Sequence, residues 1–286
     1  MEMQDAPYKI FKPNFKENGK FEGLIRAIGL VILAASLPLL FSCEKVIQLN
    51  LKNSAATIVI QGNVYDQPGP YTVKISKSVN FDASSNYPPV SGAKVIISDN
   101  VNQSEVLTES ASGTYVTSKM RGLPGRTYTL SVQTGTDNYQ ATAVMPYAVS
   151  MDSIYFTTSP FSGELQTTVS FRDPIFSTDY YRLVYFINKT EQKSFYVIDD
   201  ELFPGLAIHY SLSTRNTDVK LAKGDQVSVW LETVDPGVYD YFRTAGSDSG
   251  ESASPANPVS NISNGALGYF NACSVRKISA LVGNLP

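Results

Sequence analysis

Residue types able to do covalent or metal chemistry are scarce in this chain. His209 is the single histidine, set in Ala207-Ile208-His209-Tyr210-Ser211-Leu212. A Ser–His–Asp triad needs only one histidine, but no serine stands in a Gly-x-Ser-x-Gly nucleophile elbow. His209 also falls in an alternating run, where a half-exposed or hydrogen-bonded imidazole is ordinary, so catalysis through it is not expected. One histidine and the cysteines Cys43 and Cys273 cannot supply a typical zinc shell. Asp199-Asp200-Glu201 is the densest acidic run, and distant carbonyls could complete it into a calcium site. Without EF-hand spacing, a solvated turn is the better reading. No Gly-rich phosphate loop is present, and the scattered carboxylates select no pair of the kind that cleaves glycosides. No catalytic residue, metal or cofactor is therefore expected.

Aromatic side chains are the richer resource. Trp230, Tyr239, Tyr241 and Phe242 lie close in sequence, beside a Ser/Gly/Pro-rich stretch at Gly246–Pro258. If exposed, these rings could stack on sugars or form a protein-contact patch. They are the candidate ligand-binding residues, although alternating aromatics in a sandwich are more often core.

Cys43 has the clearest chemical fate. It follows Ala27–Phe41, an uncharged apolar run preceded by Lys12, Lys16, Lys20 and Arg26. The run is shorter than the roughly 20 residues that cross a bilayer comfortably. It has the length and basic flank of a secretory h-region. Leu40-Phe41-Ser42-Cys43 resembles the bacterial lipobox. That resemblance implies a lipoprotein signal peptide over residues 1–42, cleaved before Cys43, with lipid attached to Cys43. Each buried methylene contributes about 0.8 kcal/mol, so one acyl chain binds reversibly and additional chains hold firmly. With Cys43 acylated, Cys273 has no intrachain partner and reads as a small buried apolar residue.

The elements that would position any site are strands. The chain carries 23 Lys+Arg against 26 Asp+Glu, a net charge of -3, and no basic stripe suits a phosphate backbone, so nucleic acid is not an expected partner. After a polar tether at residues 43–56, alternating runs recur between turn signals. They are Thr57–Val64, Tyr71–Lys77, Ala93–Ser98, Tyr115–Thr117, Thr127–Val132 and Tyr139–Val144. Beyond a boundary near Pro146–Met151 come Leu165–Phe171, Tyr180–Ile187, Ser194–Ile198, Ile208–Leu212 and Gln226–Thr233, with closing strands over Leu267–Val282. Asp235-Pro236 offers an N-cap and first turn for a short helix reaching Phe242. The pattern predicts an all-β protein: two β-sandwich (Ig-like or transthyretin-like) domains in tandem, residues 57–147 and 148–286, with one short helix in the second.

Two stretches carry family resemblance. Val90-Ser91-Gly92-Ala93-Lys94-Val95, Gly113-Thr114-Tyr115 and Leu123-Pro124-Gly125-Arg126-Thr127-Tyr128 resemble the transthyretin-like regulatory module of carboxypeptidases, a small Ig-like sandwich. Near the C-terminus, Asn257-Pro258-Val259-Ser260-Asn261-Ile262 and Asn264-Gly265-Ala266-Leu267-Gly268-Tyr269-Phe270 are similar to the Bacteroidota lipoprotein family catalogued as domain of unknown function 4249. Ile58-Val59-Ile60-Gln61-Gly62 fits the first strand of that family, in which Glu is commoner than Gln61. The resemblance implies a non-enzymatic outer-membrane lipoprotein, surface-exposed and accessory to a TonB-dependent transporter in ligand capture or nutrient uptake. A small molecule, glycan or peptide would be the ligand, and the lipid anchor the membrane contact. A surface hydrolase acting on polysaccharide or peptide and a structural or adhesive envelope module are the alternatives. The motif residues Asn257, Pro258, Asn261, Ile262, Gly265, Leu267, Gly268 and Phe270 have a structural reading of their own, a glycine-assisted corner leading into a strand. Asp152-Ser153-Ile154 resembles the short O-glycosylation signal of exported Bacteroidota proteins.

Overall fold

Residues of one strand alternate between faces, so a period-two apolar pattern buries one face and leaves the other free. That rule accounts for most of this chain. The computed structural model describes residues 26, 28–30, 56–79, 86–201, 204–212, 219–247 and 257–283. The expectations for the signal peptide and for lipid attachment at Cys43 lie outside the described residues, except that Arg26 and Ile28–Leu30 are helical. The chain divides into Met1–Lys52 and Asn53–Pro286, and the second unit is all-β with a sandwich-like arrangement.

Its first half contains β1 (Ile58–Tyr65), β2 (Thr72–Lys77), β3 (Lys94–Asp99), β4 (Ser104–Val106), β5 (Thr108–Ala111), β6 (Thr114–Val116), β7 (Thr127–Thr134) and β8 (Asp137–Val144). The second half contains β9 (Met151–Thr158), β10 (Leu165–Arg172), β11 (Tyr180–Ile187), β12 (Thr190–Glu191), β13 (Tyr196–Asp199), β14 (Ala207–Leu212) and β15 (Gln226–Val234). Helix α1 (Pro236–Ser247) and β16 (Leu267–Leu281) complete it.

Among the described residues these strands form three sheets. A nine-stranded sheet runs β12-β11-β15-β16-β1-β2-β6-β5, with β13 also on β11; the other two are β4-β3-β7-β8 and β14-β10-β9. The long sheet is continuous because β16 changes partner midway. Leu267–Cys273 pair in parallel with β1, and Ser274–Leu281 pair antiparallel with β15. Asp66, just past β1, holds the changeover: its backbone N–H donates to the Cys273 carbonyl at 3.2 Å. Its carboxylate accepts the Val275 N–H at 2.8 Å and the Arg276 guanidinium at 2.7 Å.

Among the described residues three apolar clusters form, and the two larger ones lie on one face of this long sheet. Ile60, Val73, Tyr115, Phe270 and Ala272 meet Val95, Tyr128, Leu130 and Ala143 of the four-stranded sheet. Tyr181, Leu183, Val227 and Leu231 meet Val169, Phe171 and Leu212 of the three-stranded sheet. Each full burial of such a side chain is worth about 1.5–3 kcal/mol. The opposite face carries Tyr65, Arg182, Glu232, Tyr269 and Cys273, and α1 covers part of it. Cys273 is buried, and burial, followed by the Glu232 charge, pushes its thiol well above the ordinary value.

Two differences from the sequence reading have clear causes. β9 was not foreseen, because its burial does not alternate cleanly along Met151–Thr158. Residues Gly246 and Ser247, read as the start of a loop, complete α1. The expected N-cap is present: the Asp235 carboxylate accepts the Gly237 N–H at 2.9 Å. Its other oxygen accepts the Val144 N–H at 3.0 Å, tying the helix to the end of β8.

Candidate functional site

The first turns of α1 form one wall of an open cleft of about 900 Å³. Residues three and four apart share a helix face, so Pro236, Tyr239, Asp240 and Arg243 all reach it. The facing wall comes from the start of β11 (Tyr180), the end of β13 (Asp199 to Glu201) and the Ile175–Thr178 loop.

Local contacts set these side chains. The Tyr239 hydroxyl donates to Asp199 Oδ2 at 2.7 Å, and the Tyr239 ring lies 4.9 Å from that of Tyr180. Burial, with the Asp199 carboxylate next in importance, raises the Tyr239 phenol to about 12, so it remains a donor at neutral pH. Arg243 pairs with Asp240 at 2.9 Å, one turn below. Phe176 stands on the rim, 98% exposed.

Asp200 of this wall is one of three neighbouring buried carboxylates. Asp173, Asp179 and Asp200 bring oxygens within 4.8 Å of one another. Internal donors hold them. Tyr181 donates its hydroxyl to Asp173, Ser177 donates to Asp179, and the Asp179 N–H donates to Asp200 at 2.8 Å. Burial first, then the charges of Asp173 and Asp200, raise the Asp179 carboxyl above its ordinary value. Hard oxygen ligands of this kind are the residues here that could hold a divalent cation. Asp200 belongs to the acidic run noted in the sequence, whereas Asp173 and Asp179 are brought to it only by folding.

The expected aromatic group separates into three environments. Tyr239 lines the cleft. Phe242 turns beneath the helix, 3% exposed, with the Arg182 guanidinium 4.0 Å from its ring centroid. Tyr241 packs against Tyr269 at 4.9 Å. Trp230 stands elsewhere on the outer sheet face, stacked near Phe186 at 4.8 Å with Lys277 Nζ at 3.6 Å. The helix period explains why Phe242 leaves the cleft: at about 100° per residue it lies about 100° round the helix from Arg243, outside the arc that Pro236, Tyr239, Asp240 and Arg243 share. Tyr180, Asp240 and Arg243 were missed; the shared helix face of Asp240 and Arg243 with Tyr239 was the available signal.

His209 sits exposed on β14, with Nδ1 3.4 Å from the Tyr155 hydroxyl. Asp152 and Ser153 are exposed on β9.

The C-terminal motif is not part of the cleft lining and joins two sheets. Ile262 bridges to Ala141 of edge strand β8, and Ser263 exchanges hydrogen bonds of 2.8 Å with the Gln140 backbone. On the other side, Ser260 donates to the Gly268 carbonyl at 2.9 Å and Asn261 bonds both backbone groups of Phe270. Asn264 and Gly265 both take positive φ, as a tight turn into β16 requires. Ile262 and Phe270 enter the first core. Leu267 begins β16 opposite Val59. Asn257 is exposed and Pro258 half-buried at the entry to this segment.

Fold and cleft together define the class: an all-β, sandwich-like protein with a surface cleft lined by tyrosines and carboxylates. The chain belongs to the family described as Domain of unknown function (DUF4249), whose model matches residues 44–279. A comparison with curated proteins finds no match.

Proposed function

We propose that this chain is a lipid-anchored outer-membrane binding protein, non-enzymatic and accessory to a TonB-dependent transporter in ligand capture or nutrient uptake. The observation that carries the reading is the open cleft of about 900 Å³, which offers tyrosine rings and charged groups to a ligand. Pockets that hold drug-sized ligands span about 300–1,000 Å³, so this one has room for a ligand of several units. Support for the anchor comes from the sequence. The apolar run ends at the lipobox-like Leu40–Cys43, and the family match starts at residue 44, directly behind Cys43. In this reading the anchor confines the body to the membrane surface, where a transporter diffuses in the same plane, and the body faces outward.

Affinity capture of the native lipoprotein from solubilised envelopes is the decisive experiment. Recovery of a TonB-dependent transporter is the expected result, and its absence from repeated captures sinks the reading. Metabolic labelling with palmitate should mark the wild type and leave Cys43→Ser unlabelled.

The hydrolase reading has one specific observation behind it. Asp179 carries a raised carboxyl beside Asp200, and it is Asp200 that lines the cleft; perturbed carboxyls near a cleft are candidate general acids. Turnover of polysaccharide or peptide that vanishes in Asp179→Asn would favour that reading over simple capture.

A further inference from the structure

We propose that the cleft beside α1 takes a basic peptide segment, seating a lysine ammonium or arginine guanidinium between its carboxylates and tyrosine rings. This rests on the binding reading above and names the ligand class of that same site.

Charge makes the first argument. Asp199, Asp200, Glu201 and Asp240 line the cleft, and Arg243 is the cation among the described lining residues. Arg243 is already committed to Asp240 at 2.9 Å. Asp199 is partnered by a neutral donor, the Tyr239 hydroxyl, which leaves its charge in place. The cleft therefore carries a surplus of negative charge. The N-terminus of α1 opposes it with about half an elementary charge, but Asp235 caps that end and offsets it. Several carboxylates against a capped helix end leave the field favourable to a cation.

The rings make the second argument. An ammonium or guanidinium is attracted to the negative face of an aromatic ring, more strongly as water is excluded. Tyr180 and Tyr239 lie 4.9 Å apart, tilted by 43°, so one cleft wall presents aromatic surface beside Asp199. Arg243 shows that the geometry works at the rim, with its guanidinium carbon 6.0 Å from the Tyr239 ring centroid.

Size and rim chemistry point to a peptide over a small amine. A cavity of about 900 Å³ exceeds what one side chain fills. Ile175 and Phe176, 66% and 98% exposed, stand at its edge, where an apolar neighbour of the basic residue can pack.

The test uses the full lipoprotein in detergent and isothermal titration calorimetry with a pentalysine peptide. Pentaglutamate and a neutral chitopentaose serve as comparators. Pentalysine should bind at least tenfold more tightly than either comparator, and raised salt should weaken it. Glu201→Lys should weaken pentalysine at least tenfold and Phe176→Ala should weaken it several-fold. Both residues are exposed, so their unfolding midpoints should match wild type. Lys277→Ala, beside Trp230, should change nothing. Equal or tighter binding of chitopentaose, no binding of pentalysine, or pentalysine affinity indifferent to Glu201→Lys overturns the proposal. Transporter capture is scored separately: a protein that brings down a transporter yet ignores pentalysine loses this ligand class and keeps the broader reading.

Discussion

The Asn261 carboxamide does for Phe270 what a neighbouring strand would do. Its Nδ2 donates to the Phe270 carbonyl at 2.8 Å, and its Oδ1 accepts the Phe270 N–H at 2.9 Å. β16 is bonded to β1 along this stretch, and its other side meets β15 only from Ser274 onward. One side chain thus satisfies a sheet edge that would otherwise leave half-buried backbone groups unpaired.

Asn261→Leu should therefore destabilise the protein by about 1–3 kcal/mol, the cost of stranding buried polar groups. Asn261→Asp keeps the acceptor, loses the donor and should fall between. Urea unfolding midpoints measure both; a wild-type midpoint for Asn261→Leu would show that the bonds contribute nothing net.

Gly268 and Gly265 should respond very differently to alanine. A Cβ on Gly268 would lie 1.9 Å from the Ile60 carbonyl oxygen, at φ +103, so β1 and β16 could not pair as they do. Gly268→Ala should abolish soluble folded protein or cost several kcal/mol, at the extreme end of single substitutions. Gly265 has φ +72 with open space around it, so Gly265→Ala should cost only about 1–2 kcal/mol of backbone strain. Circular dichroism melts of the two variants decide this.

Arg182 and Glu232 form an ion pair at 2.9 Å, with side chains 12% and 1% exposed. Burial opposes the Arg182 charge, but the adjacent Glu232 carboxylate outweighs it and keeps the guanidinium charged. Breaking a buried pair from one side typically costs about 3–5 kcal/mol, whereas replacing both partners with apolar residues is often neutral. Arg182→Met alone should fall in that range, and Arg182→Met with Glu232→Leu should recover most of the loss. A double mutant no more stable than the single would refute the account.

Asp179 sets a pH dependence of opposite sign to most carboxylates. Its folded-state pKa is raised, so the folded chain holds the proton more tightly than the unfolded chain. The associated stability is fully present below the ordinary aspartate value of about 3.9 and is lost as pH rises through the raised value. Asp179→Asn removes this loss. Its stability relative to wild type should improve as pH rises above about 4; parallel wild-type and mutant profiles above that pH would count against a raised Asp179 carboxyl.

Much of the strand content was legible from residue pattern alone. Tyr180–Ile187 carries alternating burial and is β11 over the range expected, and the Asp235-Pro236 signal marks the start of α1. Short strands such as β4, β5 and β12 are too brief to show a period. At the cleft, Tyr239 was among the aromatic candidates and Asp199-Asp200-Glu201 stood out as an acidic run, although the run read as a solvated turn. Local pattern could not reveal that these two segments face each other.

By itself, the sequence determined the all-β class, the helix cap and the glycines of the C-terminal turn. Each depends on neighbours within a few residues: side-chain alternation, a capping carboxylate or positive φ. Tertiary structure alone decided that β16 pairs with β1 and then with β15, joining two cores on one face of one sheet. It also decided that Asp173 and Asp179 come to Asp200, and that Tyr239 faces Tyr180 while Phe242 turns under Arg182. Such pairings are selected by burial and hydrogen-bond closure between segments far apart in the chain, and no local period encodes them.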